Sequence, residues 1–196
     1  MSVFDRDYII KRGDHRSGYY FSPILRRKSI ELVSRVVKLN PSMLYDFGGI
    51  DNCDVNKIYG YSIGFHHRNS VRLGWSVDKN IRRVQLYAYL YNRGKRIIIK
   101  LADPITIANG YRDIECSIRA SEKHVHFALY DNRGIFCSED IPFVFPGGCF
   151  WGYWLFPYFG GNNVAPHDVL VPLRDKLDIY SGETDDLKFG HNMRVV

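Results

Sequence analysis

The sequence lacks the short signatures of several large enzyme classes. It contains no G-x-x-x-x-G-K-[ST] and no G-x-G-x-x-G string, so nothing in it predicts a nucleotide-binding loop. An H-E-x-x-H string is also absent, which disfavours zinc-protease chemistry. None of the four cysteines belongs to a C-x-x-C pair, so a structural zinc site is not predicted. The function classes that remain open have no short sequence signature, because they depend on the shape and chemistry of the protein surface.

The chain also lacks a long apolar run and a concentrated patch of positive charge. No run approaches the length of a membrane span, and the first residues, MSVFDRD, do not resemble a signal peptide. We therefore expect a cytoplasmic protein with reduced thiols, although an extracellular location stays open. The net charge of +6 is scattered among acidic residues, with its densest runs at 26–28 and 82–83. This pattern predicts neither nucleic acid nor a membrane as partner, and it leaves the oligomeric state open.

Aromatic residues and turn-forming residues, by contrast, are abundant. Aromatics make up 15% of the chain, and there are 17 glycines and 8 prolines. Together with many short alternating segments, this composition predicts an all-β fold, a two-sheet antiparallel β-sandwich of the jelly-roll type. We expect a single domain over 1–196, with its core at roughly 17–174 and a polar tail at 175–196.

The stretch from 84 to 130 contains three segments that alternate apolar and polar residues. This period of two is typical of strands with one buried face. The expected buried faces are Val84, Leu86, Ala88 and Leu90; Ile114, Cys116 and Ile118; and Val125, Phe127 and Leu129. The opposite faces would form a sheet surface that carries tyrosine, histidine and carboxylate groups.

Other strands are predicted with less uniform patterns. Residues 29–39 fit a short amphipathic helix or a strand, and their β-branched content favours the strand. A hairpin is expected over 58–77 with its turn at 68–70, and Gly60 and Gly64 in its first arm indicate a bulge or a close approach of another group. Tight turns are expected at 92–95 and 131–134. Further strands are expected near 19–21 and over 150–156 and 167–173.

Three of these runs resemble strands of a known architecture. GYSIGFHHRNSVRLGW, VQLYAYLYNRGKR and YWLFPYFGGNNVAPHDVLVPL are similar to strands of the concanavalin A-like (laminin-G-like) jelly roll, including small uncharacterised proteins of that type. The resemblance spans about 17–174 and implies carbohydrate as the ligand. Glycosidases of this fold carry an E-x-D-x-(x)-E strand, to which Asp113-Ile114-Glu115 is the nearest string. His124-Val125-His126 and Tyr158-Phe159-Gly160 are similar to parts of the alginate-lyase strands.

A tyrosine ladder is the first candidate binding surface. Tyr87, Tyr89 and Tyr91 alternate along one strand and therefore share a face. Aromatic rings pack on the C–H surfaces of sugars, and their hydroxyls bond sugar hydroxyls. The alternative is structural, because tyrosine favours strands and cross-strand aromatic pairs stabilise sheets.

Two further groups could contribute to ligand binding. His66, His67 and Arg72 lie in the 58–77 hairpin, where histidines facing opposite ways and an arginine would bind an acidic sugar, whereas Trp75 is expected in the core. Asn162, Asn163 and His167 belong to a glycine-flanked loop, GGNNVAPHD, of the kind that often carries ligand contacts. The asparagines could equally occupy turn positions that tolerate positive φ.

Candidate catalytic and metal-binding residues are fewer. His124 and His126 share a strand face and, with Glu115 or Asp113, could form an acid–base pair or part of a metal site; surface histidines without chemistry are the alternative. Asp51, Asp54 and Asn56 could hold calcium as a cofactor, but their spacing is not that of an EF-hand and suits turns equally well.

The sequence therefore predicts a carbohydrate-binding β-sandwich of unknown ligand that binds by aromatic stacking and hydrogen bonds. One alternative is a glycosidase or polysaccharide lyase acting on an acidic glycan. The other is a non-catalytic structural or protein-interaction module. Whether the protein is an enzyme is left open by the sequence.

Overall fold

The structure is a computed structural model that describes residues 5–18, 22–25, 32–47, 54–78, 83–107, 110–121, 123–144, 146 and 151–175. These residues form twelve strands and one 3-10 helix, Pro41–Met43. The strands are β1 Arg6–Ile10, β2 Pro23–Leu25, β3 Leu32–Leu39, β4 Asn56–Ser62, β5 Ser70–Val77, β6 Arg83–Asn92, β7 Lys95–Thr106, β8 Arg112–Ala120, β9 His124–Asp131, β10 Gly134–Pro142, β11 Trp151–Leu155 and β12 Val169–Asp175.

The strands form two antiparallel sheets of six. The first sheet has the order β1-β12-β3-β8-β9-β10, and the second has the order β2-β11-β4-β5-β6-β7. Every strand pair in both sheets is antiparallel. The predicted fold class, an all-β, two-sheet antiparallel β-sandwich, is confirmed.

The core lies between the two sheets, and the period-two patterns place its residues correctly. All apolar residues predicted from the three alternating segments are at most 1% exposed. Val71, Leu73, Trp75 and Val77 on β5 are also buried. The alternation determines which residues of a strand are buried, because a shift of one residue would move a whole apolar face into solvent.

The polar faces of the three segments do not form one surface, which corrects the prediction. β6 with its tyrosines belongs to the second sheet, whereas β8 and β9 belong to the first. The chain changes sheets between β7 and β8, so the tyrosines lie on one outer face of the sandwich and Glu115, His124 and His126 on the other. Alternation identifies a buried face but does not identify the sheet to which a strand belongs.

Several strand boundaries also differ from the predictions. The ambiguous segment is a strand, β3, as favoured, and β11 and β12 correspond to the two last predicted strands. The strands β1, β2 and β10 were not predicted. The 58–77 hairpin turns over 63–69, because β4 ends at Ser62. The strand expected near 19–21 lies outside the described residues.

The hairpin between β6 and β7 has the predicted tight turn. Arg93 and Gly94 form its two-residue loop, with φ values of 52° and 83°. Two positive φ angles in succession match the turns whose twist fits a right-handed strand pair. This short connection fixes the register of β6 on β7, in which Tyr89 lies opposite Ile98 and Tyr91 lies opposite Arg96.

The N-terminal segment crosses from the first sheet to the second. β1 pairs with β12, and the following residues bond the 156–165 loop: Gly13 N–H donates to Ala165 O, and Phe159 N–H donates to His15 O. Arg16 then forms a β-bridge with Tyr158. As a result, a segment that begins on one sheet ends beside the outer face of the other.

Among the described residues, no helix is long and apolar enough to cross a membrane.

Candidate functional site

An open groove of about 670 Å³ lies on the outer face of the second sheet. Its floor comes from β4, β5, β6 and β11, and its walls from the 63–69 turn and the 156–162 loop. The lining residues with polar or aromatic side chains are Arg16, Lys57, His66, His67, Ser70, Arg72, Tyr89, Tyr91, Arg96, Tyr153, Trp154, Phe156, Tyr158 and Asn162.

Strand register gives the order of the functional groups along the groove. Lys57 lies opposite Gly74, Arg72 lies opposite Gly60, and Ser62 lies opposite Ser70. Tyr153 of β11 lies beside Ser62, and its backbone N–H donates to Ser62 Oγ at 3.1 Å. Successive rows of the sheet thus place Arg72 between Lys57 on one side and Tyr153 on the other.

Arg72 presents a buried positive charge at the centre of the floor. The residue is only 8% exposed, and its Nη2 donates to Phe156 O at 2.8 Å. Its Nε is buried and has no hydrogen-bond partner among the described residues. Burial lowers the pKa of the guanidinium to about 10, which still leaves it charged at neutral pH. An unsatisfied cationic donor of this kind favours an anionic ligand.

Gly60 provides the space in which the Arg72 side chain lies. A Cβ at Gly60 would lie 2.6 Å from Arg72 Cα and 2.9 Å from Arg72 Cγ, and it would overlap Val71 O. The predicted close approach at this glycine is thus made by the arginine of the neighbouring strand. No larger residue fits here without moving the backbone.

Lys57 is the second buried cation of the groove. It is 8% exposed, its Nζ donates to Gly160 O at 3.0 Å, and it lies 4.8 Å from the ring centroid of Tyr89 and 5.4 Å from that of Tyr158. Burial, and then the charge of Arg72, lower its pKa to about 8. A lysine with such a pKa populates its neutral, basic form near physiological pH.

A β-bulge directs Lys57 into the groove. The register of β4 on β5 shifts between Lys57 and Tyr59, so one extra residue of β4 lies opposite β5 there. As a result, Ile58 and Tyr59 both lie in the core, and Lys57 shares the outer face with Gly60. Strict alternation would instead have placed Lys57 on the same face as Tyr59.

His66 and Tyr153 form a hydrogen-bonded pair at the other side of Arg72. His66 Nδ1 and Tyr153 Oη are 2.6 Å apart, and the backbone N–H of His66 donates to the same oxygen at 3.3 Å. Burial, followed by the charges of His67 and Arg72, lowers the pKa of His66 to about 4. The imidazole is therefore neutral at pH 7, and in its Nε2–H tautomer its Nδ1 accepts a hydrogen bond from the Tyr153 hydroxyl.

The groove is strongly biased towards positive charge. None of its described lining residues is aspartate or glutamate, whereas Arg16, Lys57, Arg72 and Arg96 all line it. The ion pairs found among the described residues do not involve Lys57, Arg72 or Arg96. Concave surfaces lined by one sign of charge concentrate ligands of the opposite sign.

The predicted tyrosine ladder is divided by the structure. Tyr89 and Tyr91 line the groove, with ring centroids 5.9 Å apart, but Tyr89 is only 7% exposed. Burial raises the pKa of Tyr89 to about 12, so its phenol stays neutral. Tyr87 lies outside the groove, and its hydroxyl is 3.1 Å from Ser76 Oγ.

The predicted histidine–arginine cluster lies in the groove with a different orientation. His66, His67 and Arg72 all line it. The two histidines do not face opposite ways, because they lie in a turn and not in a strand, and their ring centroids are 4.2 Å apart. Trp75 is fully buried in the core, as expected.

The 160–167 loop contributes one of its three predicted residues to the groove lining. Asn162 lines the groove, and its backbone N–H donates to Asp54 Oδ2 at 3.4 Å. Asn163 does not belong to the lining, but its carbonyl lies close to Gly160, which has a φ of 74°. His167 is turned towards the 3-10 helix, with Nε2 2.9 Å from Ser42 O.

The predicted catalytic candidates are not brought together. Glu115 lies opposite Tyr130, and His126 lies opposite Arg119, so the two are four residues apart along the sheet, about 13 Å. Glu115 accepts from Ser34 Oγ at 2.8 Å, and His126 Nδ1 lies 3.0 Å from Asp140 Oδ1. His124 is exposed on the same sheet. All three lie on the sheet opposite the groove.

The predicted calcium ligands do not form a cluster in the part of the chain described. Asn56 is buried and its amide is occupied, because Nδ2 donates to Tyr45 Oη at 2.7 Å and Oδ1 accepts from Gly160 N–H. Asp54 lies against the 160–162 loop. Asp51 lies outside the described residues. No group of three or more His, Cys, Asp or Glu side chains suited to a metal is present among the residues described.

The string from Gly60 to Gly64 has the form G-x-S-x-G. In serine hydrolases this motif places the serine on a sharp turn between a strand and a helix. Here Ser62 is the last residue of β4, it is 2% exposed, and its hydroxyl bonds the backbone of Tyr153. Its environment is therefore that of a structural serine.

Sequence reasoning missed Lys57, Tyr153 and Arg96 as site residues. Tyr158 had been noted only as part of the Tyr158-Phe159-Gly160 string. A signal for Lys57 was present, because regular alternation would place this lysine on the same apolar face as Val55 and Tyr59. A bulge resolves that conflict.

Comparisons with known proteins give a fold and no family. No family model matches the chain, and no curated protein matches it. Among solved structures, the chain is similar to the alginate lyase Aly36B, with a TM-score of 0.59 and 14% identity over 86% of this chain and 78% of that one. A double mutant of Aly36B in complex with alginate trisaccharide gives a TM-score of 0.58 at the same identity and coverage. At this identity, the likeness shows a shared sandwich fold.

Proposed function

We propose that the protein is a polysaccharide lyase that binds an acidic glycan in the groove and cleaves it by β-elimination. The observation that carries this proposal is the pair of buried cations, Arg72 and Lys57, in a groove whose described lining contains no carboxylate. The sugar units recognised are uronates, because their carboxylate supplies the missing negative charge.

Arg72 binds the uronate carboxylate at the cleavage point. Its guanidinium lines the groove and has an unpartnered Nε, and it pairs with the carboxylate and neutralises the charge. Neutralisation has a chemical consequence, because it makes the proton on the sugar carbon next to the carboxylate, C5, easier to remove. The low dielectric of the buried site strengthens this effect.

Lys57 and Tyr153 lie on either side of Arg72 and exchange the protons of the reaction. Neutral Lys57 removes the C5 proton, the C5–H electron pair forms the C4–C5 double bond, and the C4–O glycosidic bond breaks. Tyr153 donates its phenolic proton to the leaving oxygen, and the backbone N–H of His66, which donates to the same phenolic oxygen, stabilises the phenolate that remains. The proton taken up by Lys57 then returns to the phenolate and restores both residues. The sum is one unsaturated sugar end and one free hydroxyl, without consumption of water.

The alternative of glycoside hydrolysis has little support from this groove. Most glycosidases use two carboxyl groups on either side of the scissile bond, one of them as acid. The described lining residues supply no carboxyl group, and Glu115 is on the other sheet. A lyase needs a cation, a base and an acid, and each of these is present.

Similarity to solved structures supports the proposal at the level of fold. Aly36B is named as an alginate lyase, and two of its mutant complexes contain alginate oligosaccharides. Carbohydrate as partner and a concanavalin A-like jelly roll as fold family are parts of the same proposal. Calcium has no role in it.

The test is incubation of the protein with a panel of uronate polymers and with their carboxyl-reduced, neutral counterparts. We expect the ultraviolet absorbance of the unsaturated product to rise with at least one uronate polymer and with none of the neutral ones. Arg72→Gln should remove both binding and turnover. As a matched control, Lys100→Met removes an exposed lysine outside the groove lining and should leave both intact.

Two outcomes contradict the proposal to different extents. If the protein binds a uronate polymer but releases no unsaturated product, the lyase step is wrong and a carbohydrate-binding protein remains. If no uronate polymer binds, the assignment of the groove to an acidic glycan is wrong as well.

A further inference from the structure

An aromatic pair lies just beyond the groove, at the start of β11. Trp151 is 45% exposed and Phe65 is 67% exposed, although both are large apolar residues. Their rings meet edge to face, with centroids 5.3 Å apart and planes at 90°. Neither residue lines the groove. Exposed aromatic pairs of this kind mark binding sites more often than isolated exposed residues do.

This aromatic pair continues the groove. Trp151 and Tyr153 alternate with Gly152 along β11, so their side chains share a face. Their ring centroids are 6.4 Å apart and their planes differ by only 19°. The aromatic surface thus extends from Tyr153, next to Arg72, to Trp151 at the end of the strand.

The backbone beneath the pair is held in place. Gly64 N–H donates to Trp151 O at 2.9 Å, and Phe65 O accepts from the N–H groups of Arg68 and Asn69. A Cβ at Gly152 would overlap Ser62 O, so β11 lies directly against β4. A surface that is fixed before binding loses little conformational entropy on binding.

We propose that Trp151 and Phe65 form an accessory subsite that binds a sugar ring of the same glycan, away from the cleavage point. This inference rests on the proposed function. The indole face packs against the C–H face of a pyranose ring, and Phe65 fixes the indole orientation. Because neither aromatic side chain is charged, the pair recognises the sugar ring and not the carboxylate that the sugar carries. The pair is too small for a stable protein interface, which buries about 800 Å² on each partner.

The subsite makes affinity depend on glycan length. Short oligosaccharides held at Arg72 do not reach Trp151, whereas longer ones bind both. Trp151→Ala should therefore leave the affinity for short oligosaccharides unchanged and weaken that for long ones by roughly two- to ten-fold. Because the contact is apolar, this loss should persist in high salt, whereas the contribution of Arg72 should decline.

The experiment is calorimetric titration of the full chain with uronate di-, tetra-, hexa- and octasaccharides, at low and high salt. Trp151→Phe keeps an aromatic face and should retain most of the length dependence. Tyr111→Ala removes another exposed aromatic residue, 65% exposed and outside the groove, and should change nothing. Thermal unfolding of each variant shows that the fold is retained.

The outcomes separate this inference from the proposed function. If wild type binds uronates and Trp151→Ala matches it at every length, only the subsite is overturned. If Trp151→Ala weakens short and long ligands equally, the residue supports the groove structurally and the subsite is again overturned. If wild type binds no uronate, both proposals fail. A change in oligomeric state of Trp151→Ala would indicate a protein interface instead.

Discussion

Lys57 Nζ lies 4.8 Å from the ring centroid of Tyr89, although the two residues come from strands that are not neighbours. The intervening strand β5 carries Gly74 opposite Lys57, so no side chain separates the ammonium from the ring. A neutral phenol attracts a cation with its ring face, and this partly offsets the burial of the charge. The contact keeps a lysine with a lowered pKa beside Arg72, in a groove that is otherwise rich in arginine.

The first prediction concerns Lys57 as the base. Lys57→Arg retains the positive charge but holds its proton at all accessible pH values. We expect kcat to fall by about 10²- to 10⁴-fold while uronate affinity changes by only a few-fold. Steady-state kinetics combined with calorimetric binding measure the two effects separately. Equal losses in affinity and turnover would show that Lys57 only binds the ligand.

The second prediction is the pH dependence of turnover. In the free protein, the neutral form of Lys57 accumulates as the pH rises through about 8. The value of kcat/KM should therefore rise with an apparent pKa near 8, because this parameter reports the free enzyme. His66, with its pKa of about 4, stays neutral across this range and adds no second step above pH 6. A profile that is flat from pH 6 to 10 would contradict the role of Lys57.

The third prediction is the effect of Lys57 on stability. Its pKa is about 8 in the folded protein and near 10.5 when unfolded, so between these values the unfolded chain binds more protons. The free energy of unfolding should rise with pH across this window, by up to about 3 kcal/mol before solvent screening in the groove reduces it. Below pH 8 both states are protonated and the destabilisation is complete.

Lys57→Met tests this directly by urea unfolding at pH 7 and pH 10. The methionine variant should be more stable than wild type at pH 7, and the difference should shrink at pH 10. Lys100→Met serves as the matched control for the loss of a lysine, because that lysine is exposed and lies outside the groove lining. A constant difference between Lys57→Met and wild type at both pH values would contradict the burial of the charge.

The fold could be predicted from the sequence because its strands alternate regularly. Residues such as Leu86, Ile118 and Phe127 are buried where a period of two placed them. The assignment of strands to sheets could not be obtained in the same way. The tyrosines of β6 and the histidines of β9 have identical patterns but lie on opposite faces of the sandwich, because sheet membership depends on long-range pairing.

Only the part of the candidate site whose residues are close together in the sequence could be predicted. Arg72 and His66 belong to one hairpin, so sequence proximity indicated their association. Lys57 and Tyr153 depend on a bulge in β4 and on the pairing of β11 with β4, and neither is encoded in a short motif. The groove therefore combines a local cluster that sequence suggests with distant residues that only the fold brings together.

The fourth prediction concerns Gly60. Gly60→Ala would force a Cβ against Val71 O and the Arg72 backbone, so the strand pair must shift. We expect a loss of stability of about 1–3 kcal/mol together with weaker uronate binding, because Arg72 moves. Arg72→Gln is the informative comparison, since it should abolish binding without the steric loss of stability. A Gly60→Ala variant with wild-type stability and binding would contradict this packing.

The last prediction separates the core from the groove. Tyr59 reaches across the sandwich from β4, and its hydroxyl donates to Cys116 O on β8 at 2.6 Å, fully buried. Tyr59→Phe removes this link between the sheets and leaves a buried acceptor with one partner fewer, at a cost of about 1–3 kcal/mol. Urea unfolding should detect the loss, whereas Tyr111→Phe, at an exposed tyrosine, should unfold like wild type. Uronate binding should be unchanged in both variants, because neither tyrosine lines the groove. Weaker binding by Tyr59→Phe would mean that the groove depends on the sheet-to-sheet contact and not only on the outer face of the second sheet.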